Sequence, residues 1–269
     1  LRAMLARELL SGSTLKMNNA DLRNSFEFIS DGEEGILLLH GFTGTPYEMR
    51  PAGEFFRNYG YSSFCPRLKG HGTTEEDLNS CRFYDWIESA EKGLNYLKKK
   101  VKNIHILGLS MGGLLALKLA SVHKEVKKVV VIASPLYLTG ENGLFVTACR
   151  IPFFRFFVKS VRKPEPSDER YRCIWRENPS YRSVPTKASY EFFRLMQNVK
   201  KSLKDVRQST MFVYSKGDRD VDFSNLNLMI SLIGSRDIVI HTPLNMGHLI
   251  TLEDGNQEVF SKILKFLKR

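Results

Sequence analysis

The chain has 269 residues, 42% of them hydrophobic, enough for one well-packed domain with room for an insertion. Its 40 basic and 29 acidic residues leave a formal charge of +11, yet the basic residues are scattered and form no stripe interleaved with aromatics, which argues against a nucleic-acid partner. No apolar run reaches the roughly 20 residues of a membrane-spanning helix.

The first 24 residues read as a peripheral segment, with one short helix over LRAMLARELL. Seven β-rich runs follow: SFEFIS (25–30), GILLLH (35–40), SSFCPR (62–67), NIHILGL (103–109), KVVVIAS (128–134), TMFVYS (210–215) and DIVIHT (237–242). Several are continuously apolar, as strands buried on both faces must be. Between them, DWIESAEKGLNYLKKKV places Trp86, Ile87, Ala90, Leu94, Leu97 and Val101 at helical spacing, and QEVFSKILKFLKR does the same at the end of the chain. Strands alternating with helices predict an α/β fold with a mainly parallel central sheet flanked by helices.

That alternation lapses after Leu136. The segment ASYEFFRLMQNVKKSLKDV (188–206) supplies a crossover helix, and residues 136–186 before it read as an inserted helical cap. The core is then expected over 25–135 and 187–269. Within the cap, IPFFRFFVKSVRK brings Phe153, Phe154, Phe156 and Phe157 together, either to line an acyl pocket or to pack the cap onto the core. Arg155, Lys159 and Arg162 fall at i, i+4 and i+7, the spacing of one basic helical face suited to an anionic lipid surface.

The four cysteines, Cys65, Cys81, Cys149 and Cys173, have no metal-ligand spacing. Their dispersal fits a reducing, cytoplasmic setting, with peripheral membrane contact through the cap. The sequence starts at Leu1 rather than Met, which leaves room for an upstream targeting segment.

Gly108-Leu109-Ser110-Met111-Gly112 fits G-x-S-x-G, with an apolar strand before it and an apolar helix after it. Such a turn presents the Ser hydroxyl above the carboxyl edge of the sheet, and the Met111 amide at the helix N-terminus is free to face a developing oxyanion. A Ser hydroxyl needs a base. Of six histidines, His105 and His241 lie inside strands, His123 lies near a helix end, and His40 and His71 belong to other loops. His248, between the last strand and the last helix, is placed to reach Ser110. The base needs an orienting carboxylate. The loop SKGDRDVD offers Asp218, Asp220 or Asp222; Asp218 is preferred because it lies near the strand end and leaves Val221 free to dock inward, with Asp220 as the alternative. In LLLHGFTGTPYE, His40-Gly41 ends a strand, the Phe42 amide supplies a second oxyanion donor, and Thr45-Pro46-Tyr47-Glu48 reads as a capping box. His40 reads as a structural hydrogen-bonder in this loop.

With LLLHGFTG (37–44), PRLKGHG (66–72), GLSMGG (108–113), SKGDRDVD (215–222) and GHLITLE (247–253) in this order, the chain resembles the α/β-hydrolase superfamily, and within it the bacterial carboxylesterase and monoacylglycerol lipase group. The resemblance spans about residues 34 to 269 apart from the cap. It implies Ser110 as nucleophile, Asp218 as orienting acid, His248 as base, and the Phe42 and Met111 amides as oxyanion hole. One departure is Ser215, where the family often has Gly. The implied reaction is hydrolysis of short- or medium-chain acyl esters or monoacylglycerols, with no metal or organic cofactor. The same constellation also serves thioesters, peroxyacid formation and carbon–carbon cleavage, and a non-catalytic ligand-binding protein on the same fold is the reading from another class.

Overall fold

The computed structural model describes residues 22–269. The helix expected over residues 1–10 lies outside them. The first two strands are β1 (Phe26–Phe28) and β2 (Glu34–Leu39), followed by a short 3₁₀ turn (Pro46–Met49) and α1 (Arg50–Arg57). Next come β3 (Ser62–Cys65), α2 (Glu75–Ser80), α3 (Phe83–Lys98), β4 (Asn103–Leu109), α4 (Met111–Val122) and β5 (Lys128–Ile132). After an insertion, α8 (Thr186–Ser202) returns to β8 (Ser209–Val213), α9 (Ser224–Leu232), β9 (Ile238–His241) and α10 (Asn256–Leu267).

These strands form one seven-stranded sheet in the order β1-β3-β2-β4-β5-β8-β9. Only the β1–β3 pair is antiparallel; every other pair is parallel. The side-chain alternation of a strand divides the core in two. On one face Leu37, Leu39, Ile106, Val129, Val131 and Phe212 pack with Trp86, Leu94, Leu115 and Leu195 from α3, α4 and α8. On the other, Ile36, Leu38, Leu107, Val130 and Met211 pack with Phe55 and Phe56 of α1 and Phe260 and Ile263 of α10. Burial on both faces is why β5 runs apolar from Val129 to Ile132 without a break.

The insertion holds α5 (Gly140–Cys149), α6 (Pro152–Phe157), β6 (Ser160–Arg162), α7 (Glu169–Glu177) and β7 (Ser183–Pro185). The antiparallel β6–β7 ribbon was not visible in the sequence, because its strands are three residues long and all of β6 is exposed. No alternation is therefore imposed on it. The segment folds back over the carboxyl edge of the sheet, where the Tyr181 amide donates to the Thr43 carbonyl at 3.0 Å.

Phe153, Phe156 and Phe157 are 72, 67 and 64% exposed, so these three neither line a pocket nor pack the insertion onto the core, contrary to both expectations. The helical basic face is also absent. Helix α6 ends at Phe157, before Lys159 and Arg162 could join Arg155 on it. Arg155 instead caps α5 through the Cys149 carbonyl and lies over the Tyr190 ring.

At Gly112 the α4 backbone closely approaches the end of β2. A Cβ there would meet the backbone of Leu39 and would lie 2.8 Å from the His40 carbonyl oxygen. Neither is a flexible group that could yield. Gly112→Ala is expected to destabilise the protein by about 1–3 kcal/mol, the usual cost of overpacking, read as a lowered urea midpoint at unchanged slope.

Candidate active site

Ser110 follows the last residue of β4 and precedes the first of α4, with φ 55° and ψ −118°. A left-handed φ is strained for any residue with a side chain. The backbone is held there from both sides: the Ser110 amide donates to the Ile132 carbonyl at 2.8 Å, and Ser134 Oγ donates to the Ser110 carbonyl at 2.6 Å. The flanking glycines are required by close approach. A Cβ on Gly108 would strike the Gly112 backbone, and one on Gly113 would strike Ser134 Oγ. Among the described residues, the Ser110 hydroxyl has no hydrogen-bond partner within the protein, and the Ser110 residue is 7% exposed.

Of the three aspartates in the loop after β8, Asp218 is the one that meets His248. Asp218 Oδ2 accepts from His248 Nδ1 at 2.8 Å, while its other oxygen accepts from the Asp220 and Val221 amides at 2.8 and 3.0 Å. Its side chain is 2% exposed. Asp222 instead receives the Ser224 amide at the start of α9, and exposed Asp220 receives Asn142 Nδ2 at 3.3 Å. Val221 is buried, as the preference for Asp218 required. Ser215 has its own task, since its hydroxyl donates to the Met246 carbonyl and ties the acid loop to the histidine loop. That histidine loop is braced by a residue the sequence did not single out: buried Glu253 accepts from the Gly247 amide at 2.7 Å.

Burial by itself would lower the His248 pKa. The Asp218 charge and hydrogen bond, with smaller help from Asp220 and Glu48, overcome it and push the imidazole up to about 9. The neutral imidazole that could accept a proton therefore grows in as pH rises. Asp218, Asp220 and His248 offer atoms within 4.8 Å of one another, but the mutual bond of Asp218 and His248 occupies two of the three as a metal cluster would need them.

The loop after β2 passes over Ser110: a Cβ on Gly41 would lie 3.6 Å from that of Ser110. Among the described residues, neither the Phe42 nor the Met111 amide donates to a protein acceptor, so both remain available to a ligand. The Phe42 ring stacks on Phe192 with centroids 4.9 Å apart and tilts against Trp86 at 5.7 Å. His40 joins two loops, with Nδ1 bonded to the Gly41 carbonyl at 3.0 Å and Nε2 accepting from the Leu68 amide at 3.2 Å. Burial drives its pKa down to about 4, so it stays neutral and keeps both bonds. His71, 5.1 Å away, is likewise held neutral by burial.

The expected capping box does not form. Thr45 makes no side-chain cap, and Glu48 turns away from it to accept from the Gly41 amide at 2.9 Å and from Asn178 Nδ2 at 3.2 Å. A T-x-x-E spacing does not tell these two partners apart.

The model of the family described as "Serine aminopeptidase, S33" matches residues 32–255. This chain belongs to that α/β-hydrolase family. The hydrolase is 31% identical over 243 residues to the thermostable monoacylglycerol lipase of Bacillus sp. (strain H-257), covering 90% of this chain and 93% of the relative. To the carboxylesterase of Bacillus subtilis (strain 168) it is 26% identical over 240 residues, covering 88% and 94%. Its fold matches a solved structure from the work on the metagenome-derived lipolytic enzymes LipS and LipT with a TM-score of 0.82 at 22% identity, over 91% of this chain and 97% of the other.

Because the folded pKa of His248 lies above its ordinary 6.5, the stability gained from its pairing with Asp218 is complete below about pH 6.5 and is lost as pH climbs through about 9. In a histidine NMR titration of the hydrolase, His248 is expected to titrate above 6.5. In Asp218→Asn it should fall below that value, since burial then acts against a much weaker opposing charge. A His248 that titrates alike in both proteins would mean that the carboxylate is not what sets it.

Proposed function

We propose that the hydrolase cleaves carboxylic esters, namely short- or medium-chain acyl esters or monoacylglycerols, through a covalent acyl-enzyme. Ser110 Oγ attacks the ester carbonyl while His248 Nε2 takes its proton, and Asp218 holds the imidazole tautomer and stabilises the imidazolium. The Phe42 and Met111 amides receive the oxyanion of the tetrahedral intermediate. His248 then returns the proton to the departing alcohol. In the second half a water loses its proton to His248, attacks the acyl carbon and releases the acid, with the proton passing back to Ser110. The observation that carries this reading is the 2.8 Å His248–Asp218 bond on loops at the same sheet edge as the strained Ser110 turn. The names of the two Bacillus relatives favour an ester over the peptide bond that the family's description mentions.

Residues 136–186 then serve as the cap over a core of 25–135 and 187–269. Its exposed phenylalanines, with exposed Lys159 and Arg162 beside them, suit a peripheral contact with an anionic lipid surface. Among the described residues no helix is long and apolar enough to cross a membrane. All four cysteines are free, in keeping with a reducing, cytoplasmic setting.

A fluorophosphonate probe should label the wild type and neither Ser110→Ala nor His248→Ala. On p-nitrophenyl butyrate, Ser110→Ala should lose at least about 10³-fold in kcat, in line with removal of a triad member. An aminoacyl p-nitroanilide, a thioester and a carbon–carbon cleavage substrate should each turn over more slowly than the ester. Activity of Ser110→Ala close to wild type would sink the mechanism.

For the surface contact, Phe153→Ser/Phe157→Ser should weaken co-sedimentation with phosphatidylglycerol vesicles at low salt, with kcat on the soluble ester unchanged. Equal binding by the two proteins would place the contact elsewhere.

A further inference from the structure

Glu48 is 3% exposed. A buried carboxylate is costly unless its oxygens are bonded. Here both are: Oε2 receives the Gly41 amide and Oε1 receives Asn178 Nδ2. The carboxylate also fills the space left by the missing side chain of Gly44, where a Cβ would overlap it. It therefore grips the loop on both sides of Phe42, whose amide is one of the two proposed oxyanion donors.

The loop between those grips is not at rest in isolation. Thr43 has φ 61°, a value that β-branched residues adopt rarely and at a cost. Such a conformation persists only where its surroundings impose it. The constraint comes from the cap: Lys163 Nζ donates to Thr43 Oγ1 at 2.6 Å, and the Tyr181 amide donates to the Thr43 carbonyl at 3.0 Å. Thr43 Oγ1 in turn donates to the Phe42 carbonyl at 2.6 Å. Asn178, which completes Glu48, is a cap residue as well. Tyr181 further binds the Gly70 carbonyl and the Thr73 amide through its hydroxyl, at 2.8 and 2.9 Å, so the cap is itself seated on the neighbouring loop.

We infer that Glu48 is the positioning residue of the oxyanion loop, and that Lys163, Asn178 and Tyr181 make the aim of the Phe42 amide depend on a seated cap. This rests on the ester-hydrolase reading above. Cap and oxyanion hole form one mechanical unit, so the cap influences the chemical step as well as access to it. A donor moved off its aim weakens transition-state binding while leaving ground-state binding largely intact.

The test uses the full chain and p-nitrophenyl butyrate, with an aryl trifluoromethyl ketone as a tetrahedral mimic formed on Ser110. Glu48→Ala should lower kcat about 10–100-fold, short of the roughly 10²–10³-fold loss of an outright donor deletion. KM should stay within about 2-fold, and ketone affinity should fall in step with kcat. Glu48→Gln should recover most of the loss, because its amide oxygen still accepts from Gly41. Asn178, whose Oδ1 has no partner, can rotate to receive the new NH₂ group. Lys163→Met, which removes one bond from the cap, should lower kcat about 3–10-fold with the same split between kcat and KM.

The inference is overturned if kcat in Lys163→Met and in Glu48→Ala stays within about 2-fold of wild type, or if KM rises while ketone affinity holds. Should Glu48→Ala not fold, Lys163→Met decides by the same criteria. A wild type without Ser110-dependent ester hydrolysis would instead strike at the reaction itself, a result visible before any of these variants is compared.

Discussion

The left-handed backbone of Ser110 is the constraint around which the rest of the molecule is arranged. A side chain at that φ is tolerated only where the turn is locked, and the locking groups come from the two strands that flank β4. Ile132 at the end of β5 and Ser134 just beyond it hold the Ser110 peptide groups, while the Leu39 and His40 carbonyls leave room for nothing larger than Gly112. The strand order β2-β4-β5 that brings these atoms together is itself maintained by two apolar layers, one on each face of the sheet. Core packing thus acts on the site indirectly, by fixing the spacing of strand ends.

Electrostatics at the site runs against the character of the whole chain. The formal charge is +11, yet the buried ionisable groups around His248 are the carboxyl groups Asp218, Glu48 and Glu253. Each is held by backbone amides, from Asp220 and Val221, from Gly41, and from Gly247 respectively. Burial leaves Glu48 and Glu253 above the usual carboxyl range, even though those amides and the positive His248 act against the shift. Asp218 and Glu48 in turn bias His248 upward. Polar groups that fix loops and groups that set proton affinity are therefore the same few side chains.

Most of the central sheet was legible because burial on both faces writes a plain signal, as in NIHILGL for β4, whose bounds match residue for residue. The Ser110 turn was legible for a related reason: its glycines are demanded by backbone contact, so few sequences can build it. What did not show is what depends on distant partners. Glu48 sits at a spacing that fits a helix cap, and only the fold reveals that Gly41 and Asn178 are its partners. Lys163 in SVRK carries no local mark of its bond to Thr43, 120 positions earlier in the chain. The phenylalanines of PFFRFF misled in the other direction, because aromatic residues on a short helix outside both core layers have nothing to be buried against.

The bonds from Lys163, Asn178 and Tyr181 to the Gly41–Glu48 loop bear on how hydrolases of this kind diversify. An insertion between β5 and α8 looks like a cassette, free to be exchanged for one that admits a different substrate. Here the cassette carries half of a lock whose other half, Thr43 and Glu48, is encoded more than a hundred residues upstream. If the cap aims the Phe42 amide as inferred, a transplanted cap that fits in shape but lacks donors at the positions of Lys163 and Asn178 would bring its new selectivity together with a slower reaction. In such a lineage the two segments are constrained to change together, and grafting one without the other recombines parts that were never separately complete.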